Sequence, residues 1–216
     1  MSTKTKRITE SAMLLAIAIV LELLAKLLIP ELPYGGQITA ASMLPIVLIS
    51  YRHGLKWGFL TSFAYAVLEM LIGFKTVSAA FLPGYFGDGA MILSAILMCL
   101  LDYVVAFTVL GIGGIFRNTI AKPGVSLMCG SLVALGLRYL SHILSGYILF
   151  SGWAEWFFTQ DGFPAWGGWL VENLNPTLLS ILYSVVYNGM FMLPEIMITA
   201  VVALLIAKIP GIVCRK

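Results

Sequence analysis

Charge is what this chain has least of. Lysine, arginine, aspartate and glutamate make up 11% of its 216 residues, against 60% hydrophobic residues and a mean hydropathy of +0.98. A soluble domain is about a quarter charged, so this chain has too few polar residues to cover a water-facing surface, and the bilayer must be the solvent for most of it. Histidine and cysteine are also scarce. Two histidines, His53 and His142, make neither an HExxH helix nor a metal-binding cluster. Three cysteines, Cys99, Cys129 and Cys214, share no close spacing, so neither a disulfide framework nor a zinc site is expected. There is no GxSxG turn, and the serine nearest His142, Ser141, is its immediate neighbour and faces a different way on a helix. No GxxxxGK[ST] loop occurs, so the chain cannot draw on ATP through a P-loop of its own. A net charge of +3 is small, and no nucleic-acid partner is expected.

What the chain does contain is a series of long apolar runs. Glycine, proline and charge divide it into six, at roughly 8–29, 40–51, 54–73, 89–117, 123–152 and 177–208. A helix needs about 20 apolar residues to cross a bilayer, so the second run is too short alone and reads as a tilted or broken helix. The first run is too long for the apolar core of a signal peptide and has no convincing cleavage site before Pro30, so it reads as the first membrane helix. The expected fold is an all-α integral membrane bundle of six helices, one domain over residues 1–216, with membrane lipid as its surroundings.

The basic residues set the expected topology. Lys4, Lys6, Arg7, Arg52, Lys56, Arg117, Lys122, Lys208, Arg215 and Lys216 all fall on one side of a six-span chain. The opposite loops hold Glu31, Asp88, Glu155, Asp161 and Glu172, with Lys75 the only clear basic residue. The positive-inside rule then places both termini in the cytoplasm. The opposite loop at 153–176 carries Trp153, Trp156, Trp166 and Trp169, four of the five tryptophans. Indole rings favour the membrane–water boundary, so this loop reads as an interfacial lid or short re-entrant helix, or simply as an anchor.

Eight polar groups remain at membrane depth: Glu22, Lys26, Glu69, Asp102, Arg138, His142, Asn188 and Glu195. Each needs a partner, a water-filled cavity or a ligand to offset its desolvation. Glu22 and Lys26, four residues apart, read as a local ion pair. Glu69 lies within a turn of its helix end, where lipid headgroups are in reach. Glu195 follows Pro194, where a structural role and a functional one are equally open. In RYLSHILSGY, Arg138, His142 and Gly146 follow one helix face with a slow rotation. In an antiparallel bundle they can meet Asp102 and Asn188, with Tyr103, Tyr139, Tyr147, Phe150, Tyr183 and Tyr187 beside them. Two readings stay open here: a structural Asp–Arg pair, or an aromatic-walled cavity for a flat, partly charged organic molecule.

The stretches SAMLLAIAIV, ASMLPIVLISYRHGLKWG, LDYVVAFTVLGIGGIF, RYLSHILSGYILF and LYSVVYNG resemble the thiamine-specific substrate-binding (S) components of energy-coupling-factor vitamin transporters, over nearly the whole chain. The resemblance implies a thiamine pocket made by Asp102 and Tyr103, by Arg138, His142 and Gly146 on the fifth helix, and by Tyr183 and Asn188 on the sixth. It sets Phe150 where the family stacks a tryptophan, Asp102 where glutamate is commoner, and Arg138 where lysine is frequent. The first external loop offers only Tyr34 in place of the family's tryptophan. Ala12 and Ala16, a small-xxx-small pair, would dock on the transmembrane coupling subunit, which links to two ATPase subunits. The implied protein sits in the bacterial plasma membrane, is not an enzyme and needs no cofactor. Its rivals are an S component for another vitamin or pyrimidine precursor, a proton-coupled carrier relaying through Asp102 and Glu195, and a small intramembrane enzyme using His142.

Overall fold

The computed structural model describes residues 3–32, 36–86 and 91–213. Tyr34, Asp88, Cys214, Arg215 and Lys216 lie outside the described residues. The elements in order are α1 (Thr3–Leu28), α2 (Leu44–His53), α3 (Leu55–Ile72), α4 (Phe74–Ala79), α5 (Met91–Met98), α6 (Ala106–Thr108), α7 (Pro123–Leu149), α8 (Ala154–Thr159), α9 (Trp166–Asn173) and α10 (Pro176–Ile206). Five stretches are long and apolar enough to cross a membrane: Lys4–Leu28, Leu55–Ile72, Ile92–Gly114, Pro123–Leu149 and Pro176–Ile206. Each is predominantly apolar, and proline opens both α7 and α10 at the position where its missing N–H costs nothing. The Asn175 side chain caps α10 by accepting from the Leu178 amide at 2.9 Å.

The second apolar run becomes α2, only 10 residues long, in which Leu44 through Tyr51 are all buried. At about 1.5 Å per residue it is too short to span the hydrocarbon core, and its burial on all sides accounts for its continuous apolar sequence. The chain enters α2 through Ala40 and Ala41, both left-handed at φ 50° and 65°, a conformation that disfavours any residue with a Cβ. Glu195 of α10 holds them there. Its Oε2 accepts from the Thr39 amide and its Oε1 from the Ala41 amide, both at 2.8 Å, and Thr199 donates to Oε1 at 3.4 Å. Glu195 is therefore a buried strut, with both oxygens taken by backbone. Glu195→Gln sets an amide nitrogen against a backbone donor and should lower unfolding stability by about 2 kcal/mol, read as a lower thermal midpoint of the purified protein.

The fourth span is composite. After α5 it widens into a π-helix over Cys99–Val105, returns to α in α6 and tightens to a 3₁₀ turn over Val109–Gly114. The 3₁₀ turn is stitched to α2: Ser50 Oγ donates to the Gly111 carbonyl at 2.5 Å and accepts from the Gly114 amide at 3.0 Å. The termini share one end of the bundle with the α2–α3 turn, because Arg52 pairs with Glu10 and donates to the Ile212 carbonyl at 2.5 Å.

The tryptophan-rich segment folds into a 3₁₀ turn (Ser151–Trp153), α8 and α9 around a small aromatic core of Phe157, Phe158 and Tyr183. Its four tryptophans remain 50–59% exposed, as expected of rings that meet an interface. Ala12 and Ala16 are likewise exposed on α1, so the small-residue stripe does not pack inside this chain.

Candidate functional site

Between α1, α3, the composite span, α7 and α10 lies a cavity of about 440 Å³. It is lined by all eight residues that the sequence marks for a ligand: Asp102, Tyr103, Arg138, His142, Gly146, Phe150, Tyr183 and Asn188. Asp102 and Tyr103 stand in the π-helical segment, whose wider i→i+5 turns redirect side chains; such segments are frequent at functional sites.

The Asp102 carboxylate is fixed from α7. Oδ1 lies 2.9 Å from His142 Nδ1, and Oδ2 accepts from Ser145 Oγ at 2.6 Å. Although one methylene shorter than glutamate, the side chain reaches its partners. On the far side of the imidazole, Arg138 Nε donates to His142 Nε2 at 3.3 Å. A guanidinium only donates, so Nε2 must accept, and the ring proton must sit on Nδ1, where it is given to Asp102. The three residues form a relay with a neutral imidazole in the middle. This corrects the direct Asp–Arg pair: His142 stands between the two charges. The Arg138 guanidinium instead lies 4.3 Å over the Phe107 ring and touches the Met43 sulfur, a cation–π placement suited to a partly desolvated cation.

Asn188 and Gly146 set the approach of α7 to α10. Asn188 Nδ2 donates to the carbonyls of His142 (3.2 Å) and Ser184 (2.9 Å). A Cβ on Gly146 would run into the Ser184 hydroxyl and lie 3.2 Å from Asn188 Nδ2. The remaining walls are aromatic. Phe150 packs on Phe86 at 5.5 Å, and Tyr183 on Tyr187 at 5.7 Å. Tyr139 and Tyr147, grouped with these rings on sequence, are elsewhere: Tyr139 donates to the Val185 carbonyl at 2.6 Å, Tyr147 is exposed, and neither lines the cavity.

Several lining groups escape the sequence reading. Ser145 lies one turn from His142, and that spacing was signal enough to find it. Phe107, Phe191 and Gln37 carry no such signal. Glu22 and Lys26 form the expected pair at 2.5 Å, yet Glu22 is buried, faces the cavity and accepts from the Tyr65 hydroxyl at 3.0 Å. Trp153 and Trp156 line an adjoining cavity of about 400 Å³, which shares Tyr85, Phe150, Tyr183 and Tyr187 with the first. In the loop between spans, burial and then the charge of Asp102 push the Tyr85 phenol up, keeping it a hydrogen-bond donor.

The cavity is thus walled by rings and carries one carboxylate–imidazole–guanidinium relay. The family described as thiamine transporter protein matches residues 8–213. The chain belongs to that family. It is 29% identical over 214 residues to the thiamine transporter ThiT of Bacillus subtilis (strain 168), covering 95% of this chain and 92% of that protein. The fold matches a structure of ThiT from Listeria monocytogenes with a TM-score of 0.62 at 17% identity, over 99% of this chain and 100% of that one. The all-helical architecture is thus that of a multi-pass membrane transporter, and the S-component resemblance read from the sequence motifs falls within the same family.

Proposed function

We propose that this protein is the membrane-embedded thiamine-binding subunit of an energy-coupling-factor transporter in the bacterial plasma membrane, and that the 440 Å³ cavity is its thiamine site. The observation that carries the site is the Asp102–His142–Arg138 relay set among Phe150, Tyr183 and Tyr187. Thiamine joins an aminopyrimidine, which offers both donors and acceptors, to a permanently cationic thiazolium. A fixed carboxylate meets the first, and electron-rich ring faces suit the second, at about 1–2 kcal/mol per desolvated cation–π contact. The cavity volume falls in the range of about 300–1,000 Å³ usual for small-molecule sites.

The chain crosses the membrane six times in this reading, with α2 and its lead-in making the second pass and both termini in the cytoplasm. The basic residues gathered at that end support the orientation. Thiamine enters beside the tryptophan-bearing α8–α9 segment and favours the closed cavity through its higher affinity for that conformation. Ala12 and Ala16, exposed on α1, admit close approach of another helix and serve as the seat of the transmembrane coupling subunit. That subunit and its two ATPases drive release to the cytoplasm. The protein performs no chemistry on its ligand.

The test pairs binding with transport. Thiamine titrated into the detergent-purified protein should quench tryptophan fluorescence and release heat at one site per chain. Cells expressing the chain with the coupling module should take up thiamine, and cells expressing the chain alone should not. Folded protein that gives no calorimetric response to thiamine would overturn the substrate; uptake without the module would overturn the coupling.

A further inference from the structure

Three carboxyl side chains line the cavity, Glu22, Glu69 and Asp102, with two basic ones, Lys26 and Arg138. Two of the acids have their donors. Asp102 holds His142 and Ser145. Glu22 holds Lys26 at 2.5 Å and Tyr65 at 3.0 Å. Glu69 is different: it is 3% exposed, its carboxyl lies against the Glu22 carboxyl and the Tyr65 hydroxyl, and its Oε1 is buried with no hydrogen-bond partner. Lys26 is engaged by Glu22, and the guanidinium of Arg138 is turned to His142, Met43 and the Phe107 ring. With all three acids ionised, the lining among the described residues would hold one more negative charge than positive, and the surplus falls on the adjacent Glu22–Glu69 pair.

A buried carboxylate oxygen without a donor is costly, and the cost is relieved either by a proton or by a positive charge brought to it; a permanently charged ligand supplies the second. We propose that Glu69 is the counter-ion for a permanent single positive charge on the ligand, and so the group that makes this cavity select a cationic heterocycle over a neutral one of the same shape. This rests on the thiamine reading above, in which that charge is the thiazolium. Glu69 comes from α3 and its neighbour Glu22 from α1, whereas Asp102 and His142 belong to the composite span and α7. The ligand's uncharged ring and its cationic ring are thus read by different helices, and a ligand joining both draws the helices together.

The test compares thiamine with its neutral isostere, in which carbon replaces the thiazolium nitrogen, by calorimetry on wild-type protein and on Glu69→Gln. Wild-type protein should prefer thiamine. Glu69→Gln should weaken thiamine binding roughly thirtyfold, the effect of one partly shielded charge pair, while the neutral isostere stays within about threefold of its wild-type affinity. If Glu69→Gln does not fold, Glu69→Asp carries the test: it keeps the charge but withdraws it by a methylene, and its loss should be smaller and confined to thiamine. A Glu69→Gln protein with undiminished preference for thiamine would overturn the inference alone. So would equal loss of both ligands with helical circular dichroism intact, since that marks a structural role. Wild-type protein that binds neither ligand would overturn the thiamine reading and this inference with it.

Discussion

Asp102→Asn is expected to weaken thiamine binding by about two to three orders of magnitude, or about 3–4 kcal/mol, with little change in the thermal midpoint of the ligand-free protein. The substitution is nearly isosteric, so the cavity keeps its shape. What changes is the relay. The carboxylate accepts from both His142 Nδ1 and Ser145 Oγ, whereas an amide presents one acceptor and one donor toward the same two groups. If the amide oxygen keeps His142, its nitrogen faces Ser145, and that hydroxyl must turn to accept. The site then loses a negative charge and gains a donor where the aminopyrimidine offers one. The aminopyrimidine then meets a donor in place of a fixed, charged acceptor, and a buried donor left facing a donor is costly. His142→Ala should have a smaller effect, because the carboxylate survives and Ser145 still holds it. Calorimetry on the three proteins settles the order, and an Asp102→Asn protein within threefold of wild type would remove Asp102 from the site.

The parts of this molecule legible in the sequence are those governed by local rules. The bounds of α7 and α10 follow from prolines and a cap at their starts, and the shared face of Arg138, His142 and Gly146 follows from helical periodicity alone. Other features depend on what lies opposite. The π-helix at Cys99–Val105 has no local signature, since the residues CLLDYVV suit an α-helix equally well. The burial of α2 makes a ten-residue helix look like a weak membrane span. Glu195 and Pro194 sit side by side in sequence, yet the backbone amides that Glu195 satisfies belong to Thr39 and Ala41 at the far end of the chain. Composition identifies a buried carboxylate as needing partners, and only the tertiary structure says which. The same limit explains Arg138: opposite charges near each other suggest a pair, and the imidazole inserted between them is a matter of one rotamer.

Gly130→Ala is expected to destabilise the protein by about 3 kcal/mol, at the upper end for inserting a methyl group into a packed interior. Gly130 lies on α7 against the 3₁₀ turn of the composite span, and a Cβ there would overlap the carbonyl oxygen of Gly113. The obstacle is backbone, which no rotamer change can clear. Nor can the turn retreat: a Cβ on Gly113 would itself meet Val47, and one on Gly114 would meet the Ser50 carbonyl, so the turn is already seated against α2. Ser50 bonds to both Gly111 and Gly114 and fixes that seat. The added methyl must therefore pry α7 away. Arg138 begins two turns further along α7, about 12 Å from Gly130, so the displacement also tilts the relay relative to Asp102, and thiamine affinity should fall together with stability. Gly136→Ala supplies the contrast on the same helix. Nothing lies within 4 Å of the added carbon, and exchanging glycine for alanine in a helix interior gains up to about 1 kcal/mol. Thermal unfolding of the two purified variants should move their midpoints in opposite directions. Equal midpoints would mean that α7 and the turn are free to separate, and the tight glycine seam would then not be what positions the ligand-binding half of α7.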